Sequence, residues 1–142
     1  MPLEQDTQIA QLLIDTKTIA LEIASPKPER ASHRILQFLL EEGYDVYPVN
    51  PGLDGEKIAG RDVYGSLEDI PVPIDMIDIF RRSDAVEPIV ARAIKARAKC
   101  IWMQLGVINT QASELAQSAG LDVVMDKCPA IEIPRLRELG LM

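Results

Sequence analysis

Thr18-Ile19-Ala20-Leu21-Glu22-Ile23-Ala24-Ser25-Pro26-Lys27-Pro28-Glu29-Arg30 decides the fold. An apolar, β-type run ends in a turn of small residues. The turn carries Lys27 and Arg30 and opens a helix. α/β proteins hold phosphate groups in this way, with backbone N–H groups and the positive end of a helix dipole turned to the anion. Pro26 and Pro28 fix φ and stiffen the turn, which reduces the entropy lost when a ligand is held. The usual glycine is missing where the strand ends, and Ile23 stands in its place. The plain alternative is a rigid strand-to-helix connection with two solvent-facing cations.

The rest of the chain repeats the pattern. Apolar runs over 18–24, 45–49, 75–80, 99–104 and 122–125 predict five strands. Helix-period segments lie between them at 30–42, 84–97 and 109–119, with a further short helix within 3–16. Gly43 ends the first of these, Asn109 is an N-cap for the third, and Gly120 is its stop. Apolar strands alternating with helices predict an α/β fold: a doubly wound, five-stranded parallel sheet with helices on both faces. The stretch 50–74, rich in Gly and Pro, reads as loop, with one helical turn at 66–70 capped by Ser66. The expected organisation is one domain over 1–142, with residues 1–16 as an N-terminal helix and 129–142 as a C-terminal extension.

A chain of 142 residues with 47% hydrophobic residues buries a real core. The net charge of −7 argues against non-specific binding to nucleic acid or an anionic membrane. The longest apolar run falls far short of a membrane span, and the first residues do not have the pattern of a signal peptide. Cys100 and Cys128 are too few for a disulfide framework or a zinc site, so both are expected as free thiols at opposite edges of the sheet. A cytoplasmic location follows. One histidine leaves little room for a triad or a multi-histidine metal site, and His33 reads as a surface or capping residue.

In an open parallel sheet, ligands lie beyond the carboxyl ends of the strands, where the strand order reverses. The segments placed there hold Lys27, Arg30, Arg34, Lys57, Arg61, Arg81, Arg82 and Lys127. They are eight of the 15 Lys and Arg residues of an acidic chain, and that bias favours an anionic ligand over a merely solvated edge. Phe80 beside Arg81 and Arg82 offers a ring to a nucleobase and guanidinium groups to a phosphate. Gln104 ends the fourth strand with its amide toward the same edge, while Trp102 reads as core. The Gly-x-Gly-x-x-Gly fingerprint is absent, which disfavours ordinary NAD binding. Cys128 follows Asp126-Lys127, where a reactive thiol competes with the plainer reading of a semi-buried structural cysteine.

Five stretches carry a resemblance. They are 24–32 (Ala-Ser-Pro-Lys-Pro-Glu-Arg-Ala-Ser), 47–52 (Tyr-Pro-Val-Asn-Pro-Gly), 78–83 (Asp-Ile-Phe-Arg-Arg-Ser), 101–106 (Ile-Trp-Met-Gln-Leu-Gly) and 123–129 (Val-Val-Met-Asp-Lys-Cys-Pro). In this order, over roughly 17–135, the chain resembles the small single-domain CoA-binding proteins. It is similar to the CoA-binding Rossmann-like domain of the succinyl-CoA synthetase alpha subunit. The resemblance implies a Rossmann-like sheet with coenzyme A across its carboxyl edge. It places phosphate oxygens at Ile23, Ala24, Ser25, Lys27 and Arg30, the adenosine end at Val49 and Asn50, and the nucleotide along Phe80, Arg81 and Arg82, with Gln104 nearby. It implies no catalytic residue and no metal. The synthetase's phosphohistidine belongs to a second domain that has no counterpart in these residues.

The family pattern has valine and glycine where this chain has Glu22 and Ile23. Both are expected to oppose binding. Ile23 fills the space of a closely approaching phosphate and disfavours positive φ. Glu22 buries a carboxylate in an apolar strand and repels a diphosphate if it reaches the site. The leading function is a CoA or acyl-CoA binding module without its own catalysis, alone or with a homodimeric or other protein partner. The rivals are a thiol-dependent reaction of CoA at Cys128, and a degenerate member that acts through protein contacts.

Overall fold

β1 (Thr18–Glu22) lies at the centre of the molecule because both of its faces are apolar. Ile19 and Leu21 point to one side, Ala20 points to the other, and all three are fully buried. A computed structural model describes residues 1–142. β1 pairs in parallel with β2 (Asp45–Val49) on one edge and with β5 (Met76–Ile79) on the other. β6 (Cys100–Met103) and β7 (Asp122–Val124) complete the sheet, in the order β2-β1-β5-β6-β7, every pair parallel. The chain moves outward from β1 to β2 and then crosses back to β5. The strand order therefore reverses between β1 and β5, and the crevice at their carboxyl ends is where this fold seats ligands.

The strands are those expected, trimmed at their ends. β1 stops at Glu22 rather than at residue 24, and the peptide joining Glu22 to Ile23 is cis. Ala24 N–H still donates to Val49 O, so the chain leaves the ladder only gradually.

Helices cover both faces. α1 (Asp6–Asp15), α2 (Ala31–Glu41) and α5 (Pro129–Glu138) pack Ile9, Leu13, Leu36, Leu39, Ile133 and Leu136 onto one side, around Trp102. α3 (Val86–Lys95) and α4 (Thr110–Ser118) cover the other side with Val86, Ile89, Val90, Ala112 and Ala116. A buried side chain of this size contributes about 1.5–3 kcal/mol, and the apolar spacing on each helix supplies several. Asn109 caps α4 as expected, its Oδ1 accepting from Ala112 N–H at 2.9 Å. Gly43 and Gly120 end α2 and α4 with φ of 94° and 89°. The N-terminal helix starts three residues after Leu3, where its apolar spacing begins, and Leu3 N–H instead donates to Val123 O.

Residues 50–74 contain more than loop. A short 3-10 turn at Pro51–Leu53 is capped by Asn50, and β3 (Lys57–Ile58) pairs antiparallel with β4 (Arg61–Asp62). The turn between them, Ala59-Gly60, has φ of 51° and 79°, the paired positive values of a type I′ hairpin turn. Ser66 does not cap the 3-10 turn at Leu67–Asp69; its hydroxyl bonds the Asp69 carboxylate instead. No helix is long and apolar enough to cross a membrane.

Candidate functional site

Ala24 and Ser25 form the bend between β1 and α2, and their carbonyls are held away from the crevice. Asn50 Nδ2, at the end of β2, donates to Ala24 O at 2.8 Å, and Asn50 Oδ1 accepts from Gly52 N–H at 2.9 Å. The His33 ring, on the first turn of α2, meets Ser25 O through Nδ1 at 2.9 Å, so Nδ1 carries the proton. Lys27 N–H closes onto Ser25 Oγ. With the carbonyls engaged, the N–H groups of Ser25, Ala31 and Ser32 form no hydrogen bond within the protein. They are joined by the positive end of the α2 dipole. His33 is therefore neither a surface residue nor a cap: it is only 7% exposed, buried because the turn folds back over it.

The bend forms one wall of a cleft of about 840 Å³ at the carboxyl edge, lined by 18 residues. Of the residues expected at the site, Ile23, Ala24, Ser25, Lys27, Arg30, Asn50, Phe80, Arg81, Arg82 and Gln104 all line it. Val49 does not. It is fully buried against the layer of α3 and α4, because alternation along β2 turns it to that face. Ser32, Ile35, Leu105 and Val107 also line the cleft. Ile35 carried the signal of a core residue, and it serves both the core and the cleft wall.

Five cations ring the cleft: Lys27, Arg30, Arg34, Arg81 and Arg82. Arg82 is engaged by Asp84 and Arg34 donates to Glu29 O, whereas Lys27, Arg30 and Arg81 make no ion pair. Unpaired cations gathered at one crevice of an acidic chain are a ready receptor for a multiply charged anion. Of the other three cations expected at this edge, Lys127 does not line the cleft and two are used elsewhere. Arg61 pairs with Asp45 and stacks 5.1 Å from the Tyr47 ring centre, and Lys57 pairs with Asp62.

Glu22 corrects an expectation. Its side chain does not reach the cleft but points to the opposite face of the sheet, 3.7 Å from Arg92 Nη1 on α3. Burial raises its carboxyl above the ordinary range, opposed by Arg92 and Arg81. Ile23 does line the cleft, and it makes the bend without entering the left-handed region that a glycine would allow.

The far wall comes from the loops after β6 and β7, which are tied together. Trp102 Nε1 donates to Lys127 O at 2.8 Å, and Gly106 N–H donates to Asp126 Oδ1 at 2.7 Å. Ser83 joins them to the loop after β5, through Ile108 N–H onto its Oγ and Asn109 Nδ2 onto its O. Cys128, 7% exposed, lines this wall, and Cys100 is buried at the amino end of β6; both thiols are free. Cys100 lies at the amino edge of the sheet and Cys128 beyond its carboxyl edge, as expected. Gln104 is also only 7% exposed, and its amide oxygen finds no partner.

Residues 17–134 match the family model described as a CoA binding domain. The chain belongs to the CoA-binding domain family. The uncharacterized protein YneT of Bacillus subtilis (strain 168) is 32% identical over 121 residues, 85% of this chain and 88% of its own length. A hypothetical protein from Pyrococcus horikoshii OT3 superposes with a TM-score of 0.90 at 41% identity, over 96% of each chain. The dinucleotide forming acetyl-coenzyme A synthetase 1 of Ca. Korarchaeum cryptofilum superposes with a TM-score of 0.70 at 25% identity. That match takes in 82% of this chain and 27% of the synthetase. In this CoA-binding domain, the crevice lies at the reversal point of the Rossmann-like sheet.

Proposed function

We propose that this chain binds coenzyme A or its thioesters in the cleft, as a binding module with no catalytic centre of its own. The observation that carries the reading is the set of unpaired cations, Lys27, Arg30 and Arg81, around a bend whose carbonyls Asn50 and His33 hold back. The diphosphate takes the free amides of Ser25, Ala31 and Ser32 together with Lys27 and Arg30, through charge-assisted hydrogen bonds. Phe80, half-buried at the mouth, offers its ring to the adenine, and Arg81 and Arg82 meet the remaining phosphate. Asn50 flanks the adenosine end. The cleft volume falls within the range of ordinary ligand pockets. Membership of the CoA-binding domain family and the likeness to a synthetase that handles an acetyl-coenzyme A support the same ligand. Two free cysteines fit a reducing, cytoplasmic setting.

Native mass spectrometry of freshly purified protein tests the proposal. A discrete added mass of one coenzyme A, or one acyl-coenzyme A, is expected after incubation with a small molar excess. A chain that stays ligand-free under these conditions, while a control CoA-binding protein is loaded, supports a protein that acts through contacts with other proteins.

A further inference from the structure

The wall made by Gln104, Leu105, Val107 and Cys128 differs from the rest of the cleft. All five cations lie on the bend after β1, on α2 or on the loop after β5. The segment after β7 contributes a thiol instead. From β1 to β7 there are three strand spacings, about 14 Å at ~4.8 Å each. The arm that joins the diphosphate of coenzyme A to its sulfur contains two amides and is about as long as four residues of extended chain, ~14 Å. A ligand whose phosphates sit on the β1 bend therefore carries its sulfur to the segment after β7. Between the two ends stands Gln104, more than nine-tenths buried, lining the cleft, with an amide oxygen that has no partner. An arm with amide N–H groups supplies that partner.

Resting on the reading of the cleft as a coenzyme A site, we infer that Cys128 exchanges with the disulfide of the ligand and holds coenzyme A as a mixed disulfide. The Cys128 sulfur, as thiolate, attacks one sulfur of coenzyme A disulfide. The bond between the two ligand sulfurs breaks as the new one forms. The departing coenzyme A leaves as a thiolate and takes up the proton given up by Cys128. One disulfide is exchanged for another, so no oxidant or reductant is consumed, and excess coenzyme A thiol drives the step backwards. Cys100 is an internal control. It is 1% exposed in the core, away from the cleft, and burial pushes its thiol far up.

The experiment treats the reduced protein with coenzyme A disulfide and follows intact mass, the site of modification and the thiol released. One adduct per chain is expected, located on Cys128, with one equivalent of coenzyme A set free and Cys100 unmodified. Cys128→Ser gives no adduct. On the unaltered chain, a phosphoadenosine diphosphate that lacks the arm slows the adduct at least tenfold. Glutathione disulfide at the same concentration reacts at least tenfold more slowly. Equal rates with the two disulfides, no effect of the armless nucleotide, or modification of Cys100 would each overturn the inference. Calorimetry with reduced coenzyme A separates it from the underlying reading. Binding without any adduct sinks the exchange alone, and no binding at all removes both.

Discussion

Asp78 sits in the middle of β5, fully buried, and neither of its carboxylate oxygens has a hydrogen-bond partner. Burial alone raises its pKa well above the ordinary value of 3.8. The folded state therefore holds this proton more tightly than the unfolded chain. Its contribution is fully present below pH 3.8 and is lost as pH rises above that value, until the folded group ionises as well. Glu22, also raised by burial, adds a slope of the same sign. Asp78→Asn should stabilise the protein by about 1–3 kcal/mol at pH 8 and by much less at pH 5, read from urea unfolding at both pH values. An equal effect at the two would show that folded Asp78 is already ionised at both pH values, against the raised pKa. Asn50 makes a different case, since it caps the turn at Pro51–Leu53 through Gly52 N–H and from there holds the bend through Ala24 O. Asn50→Ala should cost about 1 kcal/mol of stability and also weaken coenzyme A binding several-fold. A stability loss with unchanged binding would mean that the bend keeps its shape without that brace.

Among the elements, the five strands were legible because each is a mainly apolar run, most fully buried in the three central strands. The helices were legible through apolar spacing and through Gly43, Asn109 and Gly120. The hairpin of β3 and β4 was not. Each strand has only two residues, too short for any period, and its turn has Ala59 where an asparagine or glycine would have signalled it. At φ 51° the Ala59 backbone is in the left-handed region, which a residue with a Cβ adopts at a cost of about 1 kcal/mol. Ala59→Asn should recover roughly that amount, visible as a higher unfolding midpoint; a lower midpoint would contradict the turn assignment. His33 and Glu22 escaped sequence reading for a related reason. Composition tells how polar a side chain is but not which face of an element it occupies. The burial of His33 depends on the bend folding over it, and the orientation of Glu22 depends on the pleat of β1. The resemblance implies Val49 at the cleft, but it is one pleat step out of line with Asn50 and alternation takes it to the core.

At the scale of the whole molecule, the cleft exists because the strand order reverses between β1 and β5 and three loops are laced together on the far side. Ser83, Asp126 and Lys127 O form that lacing, and the bend after β1 forms the near side. The acidic chain places five cations around this one opening. Isothermal titration calorimetry with coenzyme A, on this protein and on Lys27→Ala with Arg81→Ala, tests that arrangement most directly. The expected result is one site per chain with a Kd on the order of micromolar, about −8 kcal/mol, weakened at least a hundredfold by the paired substitution as two charge-assisted contacts of about 1.5–3 kcal/mol are lost. No binding heat from the unaltered protein, or equal affinity in the variant, would contradict the account of the cleft.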